Sequence, residues 1–257
     1  MKAFIAFTKK EFTESIRTAR FLILAAIFVS LGIMSPLIAK LMPELLKSIP
    51  AEGMAGISFE LPEPTAFDAW TQFFKNVGQI GMLALIILFC GITANEFGKG
   101  TLVNLLTKGL KRSTVVLSKF LAGGVIWSAA YLLCLAACCV GTAYFWKLDV
   151  MSHVFLSFFA PWLFGLLLIA LLIFGGVLFK GFMGSLLTCG GAVLVLNLVN
   201  IVPKAGRFNP VILSASTLNL LYAQSKLADF APAFIICVAM IAALVAGSVL
   251  ILNKKQV

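Results

Sequence analysis

The sequence predicts an all-α membrane protein with six transmembrane helices, an N-terminal amphipathic interfacial helix and a short amphipathic helix in a cytoplasmic loop. Three observations carry that expectation. The chain is 61% hydrophobic and only 12% charged, whereas a soluble domain carries about 25% charged residues. Its mean hydropathy is +1.06. Its apolar residues fall in runs long enough to cross a hydrocarbon core, which takes roughly 20 residues of helix. A surface so poor in charge suits lipid rather than water.

The spans are expected at residues 21–39, 77–94, 120–146, 154–179, 182–202 and 230–252. The fourth and fifth come from one apolar stretch, Val154 to Val202, interrupted only by Lys180. As a single helix it would reach about 73 Å, more than twice the membrane. It is therefore expected to be a hairpin turning at Lys180-Gly181. The whole chain, residues 1–257, forms a single transmembrane domain.

Basic residues set the orientation. With both termini cytoplasmic, thirteen Lys and Arg lie inside and seven outside. The net charge of +10 is thus explained by topology, and no basic stripe with interleaved aromatics points to nucleic acid. Residues 1–20 carry seven charges before the first apolar run, too long for a signal peptide's charged region; Phe21–Ala39 is read as a retained span. Within residues 1–20, Phe4, Ile5, Phe12 and Ile16 recur near helical spacing while Lys9, Lys10, Glu14 and Arg17 take other faces, the pattern of a helix lying in the headgroup plane. A plain cytosolic leader helix is the alternative.

The connections are less regular. Pro43, Pro50, Pro62 and Pro64 exclude one long helix from the first outer loop, 40–76, and favour short helices or an irregular cap. The last outer loop, 203–229, suits either a surface amphipathic helix or a partly re-entrant segment.

Few residues offer chemistry. The six cysteines, Cys90, Cys134, Cys138, Cys139, Cys189 and Cys237, all lie in apolar runs and none forms a CxxC pair; they read as packing residues. The one histidine, His153, has no local metal-ligating partners. Gly98-Lys99 does not complete a phosphate loop, because position 93 is Thr and position 100 is Gly. No nucleotide site, metal site or catalytic constellation is expected. Lys119 and Lys180 are placed at span ends, where they can snorkel, so no proton relay is expected in the membrane. Asn197 and Asn200 are the deep polar pair, able to line a pathway or to join helices by hydrogen bonds. The Gly-Gly pairs 123–124, 175–176 and 190–191 suit close helix packing.

The loop after the second span, residues 96–112, is the most informative stretch. Leu102, Leu105 and Leu106 form an apolar stripe, Thr101 can cap a helix start and Gly109 can stop it. That short helix could rest on the protein's own surface or dock into a partner's groove.

This loop resembles that of ABC-2 type permeases, the membrane-spanning subunits of ABC transporters. The resemblance rests on Glu96, on Gly100-Thr101, on the apolar run Leu102 to Leu106, on the basic turn from Lys108 to Arg112, and on Lys119 opening the next span. The family often has proline where this chain has Gly109, which leaves the turn less rigid here. The resemblance implies that Gly100–Lys108 is a coupling helix seated on a separate dimeric ATPase, flanked by Glu96 and Arg112. It implies a second permease chain, identical or related. ATP and Mg would be bound by the partner ATPase, with no cofactor in this chain. Residence in the cell membrane, a bacterial inner membrane, follows, as does export; the apolar lining of the spans suits a hydrophobic or amphiphilic cargo such as lipid, peptide or drug. A protein that anchors a soluble partner without transport is the alternative.

Overall fold

The computed structural model describes residues 2–47, 63–98, 107, 109–147, 153–202, 206–215, 217–222 and 227–254. All of its elements among these residues are helical. Helix α1 runs Lys2–Arg17, and α2 runs Arg20–Lys47. The second span is composite: α3 (Ala66–Asn76), a π-turn at Val77–Gly81, α4 (Met82–Phe89) and α5 (Gly91–Gly98). Then follow α6 (Arg112–Phe145), α7 (Val154–Phe179) and α8 (Phe182–Asn200). Two short helices, α9 (Ile212–Ala215) and α10 (Thr217–Leu221), precede α11 (Leu227–Lys254). Among the described residues, six helical stretches are long and apolar enough to cross a membrane. An all-α membrane protein is what the sequence predicts, and this is its architecture.

Helix α7 is the central post. The apolar window of α7 is 72% buried inside the protein, against 11% for α8 and 17% for α11, so those two helices present most of their side chains outward. Apolar side chains gain nothing by leaving lipid for protein, so packing and interhelical hydrogen bonds hold such a bundle together. Both are present. Trp127 Nε1 of α6 donates to the Trp162 carbonyl at 2.9 Å, Tyr131 donates to the Phe158 carbonyl at 2.8 Å, and Ser185 of α8 donates to the Leu172 carbonyl at 2.6 Å. Helices α2 and α6 approach closely at two glycines: a Cβ on Gly32 would lie 2.5 Å from the Cys134 carbonyl oxygen, and one on Gly141 would lie 2.6 Å from Pro36.

Several expected details hold and several are corrected. The hairpin turns at Lys180, which adopts φ +55°. The Gly123–124 and Gly175–176 pairs do meet neighbours: ideal Cβ atoms there would lie between 2.6 and 3.2 Å from Ile169, Leu166, Thr188 and Thr93. Gly190–191 instead has nothing within 4 Å, because α8 turns that face away from the bundle. The expected loop 40–76 is largely helical at both ends. Helix α2 continues through Pro36 and Pro43 to Lys47, and α3 begins at Ala66 on a capping box in which the Thr65 backbone N–H donates to Asp68 Oδ2 at 2.9 Å. In the last outer loop, α9 and α10 bury Leu213, Leu220 and Leu221, so this segment packs into the bundle rather than lying over it.

Helix α1 is as expected in extent, with a less obvious orientation. Its bundle-facing residues are Phe7, Glu11 and Ser15, while Ile5 and Ile16 are 64% and 57% exposed. The helix therefore turns Glu11 and Ser15 inward beside Phe7, with Phe12 packed against the core, and leaves Ile5 and Ile16 outward. The chain breaks between α1 and α2 at Ala19, which has φ +55°.

Candidate functional site

The charged residues of α1 converge with Glu96, near the end of the second span, and with Lys119 of α6. Glu96 is 4% exposed. Lys10 lies 2.6 Å from Glu96 Oε1, 3.0 Å from Glu11 and 2.9 Å from Glu14. On the other side, Lys119 Nζ lies 3.0 Å from Glu11 Oε2 and 3.1 Å from Glu96 Oε2. It also donates to the Ile92 carbonyl at 2.8 Å. Beside this network, Thr8 donates to Ser118 Oγ at 3.1 Å. Three segments are thereby tied together: α1, the α5 end of the second span, and the first turns of α6.

Lys119 corrects an expectation. It does not snorkel: it is 1% exposed, about two turns inside a 34-residue helix, enclosed by Phe7, Glu11 and Glu96. An ammonium group this buried persists only with paired carboxylates, because removing an ion from water costs several kcal/mol. Phe7 contributes a ring face within 6.0 Å of Lys119 and 5.1 Å of Lys10. Burial works against the charge on Lys10, yet the hydrogen bonds to Glu96 and Glu14 and the Glu11 and Glu96 charges outweigh it, holding its pKa above the ordinary lysine value. For Glu14, burial pushes the carboxyl up, but Lys10 outweighs that and holds it below the ordinary carboxylate value.

Carboxylate oxygens of Glu11, Glu14 and Glu96 lie within 4.8 Å of one another. Lys10 and Lys119 already engage them, so the triad is an ion-pair network rather than a cation cradle.

The other sequence-derived residues divide. Arg112, at the start of α6, donates to the Leu252 carbonyl and, at 3.0 Å, to the Asn253 carbonyl. It thus caps the end of α11 with a positive charge, where a helix C-terminus favours one. Gly109 adopts φ +84°, the conformation a helix-stopping glycine takes. Gly100, Thr101, Leu102, Leu105, Leu106 and Lys108 lie outside the described residues. Asn197 Nδ2 donates to the Val193 carbonyl of its own helix at 2.8 Å, so this amide does not join helices; it lines a cleft of about 530 Å³. The Asn200 side chain lies near Gly206, where an added Cβ would be 3.5 Å from its Oδ1.

Glu11 is the site residue the sequence reading missed. Its signal was a carboxylate in the every-fourth-residue line Phe7, Glu11, Ser15, matched by a lysine among Val115, Val116, Ala122 and Gly123 that needed a partner.

A family model described as ABC-2 family transporter protein matches residues 5–256. The chain belongs to the ABC-2 transporter family. No curated protein matches it. The match runs from α1 through α11, so α1, the charged network and the loop all lie within it. The ABC-2 chain is accordingly a membrane subunit of a transporter, of a family whose members are generally not catalytic themselves.

Proposed function

We propose that this chain is the permease subunit of an ABC exporter, moving a hydrophobic or amphiphilic cargo with energy from ATP hydrolysed, with Mg, on a separate ATPase dimer. Two permease chains, identical or related, enclose the pathway, and both termini face the cytoplasm of a bacterial cell. The loop 96–112 is the docking element, its apolar stripe Leu102, Leu105 and Leu106 seated in an ATPase groove.

The observation that supports this reading best is the buried charge network. A loop that receives force must be anchored at both ends to what it moves. One end of this loop, Glu96, is paired with Lys10 of α1 and Lys119 of α6. Arg112, at the other end, holds the end of α11. A push on the loop would therefore reach α1, the second and third spans and the last span together. Glu96 acts here as an anchor behind the contact rather than as a residue touching the ATPase.

The test is a mild-detergent purification of the tagged chain from its native membranes. A stoichiometric ATPase is expected to accompany it, and to be lost when Leu102, Leu105 and Leu106 are replaced by Asp in a chain that still inserts. Purification without any nucleotide-binding partner across several detergents would overturn the permease reading and leave a membrane anchor.

A further inference from the structure

The cleft lined by Asn197 lies between the composite second span, α7, α8 and α9, on the opposite end of the bundle from the charged network. Its walls change character along the bundle axis. Near the α9 end its polar side chains, Thr71, Lys75, Gln79, Asn197 and Ser214, stand beside apolar ones such as Phe74 and Leu218. Deeper, it presents Met82, Ile86, Phe164, Leu168 and Val193. Because α8 runs antiparallel to α7, Asn197 stands on the polar level and Val193 below it, matching the gradient along α3 and α4.

Lys75 is the one cation in this lining. It is exposed and, among the described residues, has no ion-pair or hydrogen-bond partner. Every other polar group there is neutral, so the cleft as a whole attracts negative charge at its polar end. From Lys75 to Ile86 the wall rises about 16 Å at 1.5 Å per residue, close to half of a roughly 30 Å hydrocarbon core. The same wall carries the π-turn Val77–Gly81, a deviation that recurs at functional sites. Gly78 within it lets Ser214 close over the polar end, since a Cβ there would lie 3.1 Å from Ser214 Oγ. Leu83 and Asn197 on the rim are exposed, so the cleft is open at its side.

We infer that this cleft binds an anionic amphiphile, its head held by Lys75 with Gln79 and Asn197 and an apolar chain laid against Ile86, Phe164 and Leu168. As a statement about cargo it rests on the permease reading; as a binding site it stands independently of it.

The test uses the full chain in nanodiscs with no ATPase present, so its failure is separate from any failure to find that partner. The probes are single-chain lysophospholipids carrying a diazirine on the chain, one with an anionic phosphoglycerol head and one with a zwitterionic phosphocholine head. Photolabelling should favour the anionic probe, map to α4 and α7, and weaken about tenfold in Lys75→Gln, while Lys75→Arg retains it. Leu168→Trp, which fills the cleft, should lower labelling by both probes. Two disc compositions, phosphatidylcholine alone or with phosphatidylglycerol, identify the source. Competition by phosphatidylglycerol marks the bilayer's own anionic lipid as occupant, and its absence marks a free amphiphile. Equal labelling by both heads, indifference to Lys75→Gln, or labelling outside the cleft would overturn the inference.

Discussion

Replacing Lys119 by Met isolates what its charge contributes. Met keeps most of the side-chain length, so packing against Phe7 changes little. What is lost is the ammonium group that meets Glu11 at 3.0 Å, Glu96 at 3.1 Å and the Ile92 carbonyl at 2.8 Å. Two carboxylates, each 4% exposed, are left facing one another with only Lys10 to balance them. Breaking a buried pair from one side costs about 3–5 kcal/mol, because the remaining charge stays desolvated. For a chain of this size that is a fall in melting temperature of roughly 10 °C, readable by tryptophan fluorescence in detergent. The triple variant Lys119→Met, Glu11→Gln, Glu96→Gln removes the stranded charges and should recover most of the loss. A Lys119→Met chain within about 1 kcal/mol of the parent would refute the reasoning. So would a triple variant no more stable than the single one.

Other outcomes follow from the same structure. Gly165→Ala places a Cβ within 2.3 Å of the Trp127 ring, whose Nε1 is fixed to the Trp162 carbonyl; overpacking should cost about 1–3 kcal/mol, measured as a lowered melting temperature. Arg112→Ala strips the Leu252 and Asn253 carbonyls of their cap and should speed tryptic cleavage at Lys254, with a destabilisation of about 1–3 kcal/mol. The docking of α1 should weaken at both extremes of pH. Glu14, held below its ordinary value, contributes stability that is full above pH 4.5 and lost as pH falls further. Lys10, held above its ordinary value, contributes stability that is full below pH 10.5 and lost as pH rises beyond it. Hydrogen exchange in residues 2–17 should therefore stay flat from about pH 5 to pH 10, after correction for intrinsic rates.

The spans were legible because a bilayer imposes a length and a composition that survive in any alignment of apolar runs. The start of α3 was obscured by prolines at 62 and 64, although Thr65 and Asp68 carry a capping box and Ala69, Trp70 and Phe73 mark a helical face. Helix α2 passes Pro36 and Pro43 because proline removes a backbone donor without preventing neighbouring helices from packing, and Pro36 sits directly on Gly141. The orientation of α1 was hidden for a different reason. The interfacial reading accounts for the outward Ile5 and Ile16, but Glu11 turns inward to a partner, Lys119, that is distant in sequence. Lys119 reads in the sequence as a span-end charge and Glu96 as a flank of the loop helix. That they form one network depends on three segments far apart in sequence, which local spacing does not encode.

The central claim is that α1 and the start of α6 move as one block with the base of the loop. Thr8 and Ser118 face each other across that joint, with their hydroxyls 3.1 Å apart. The most direct measurement is ATP turnover by the reconstituted complex carrying Thr8→Cys and Ser118→Cys, before oxidation, after it, and after reduction. The account predicts that the crosslinked complex turns over as the reduced one does. Turnover abolished by the crosslink and restored by reduction would show that α1 must slide on α6, and would contradict it.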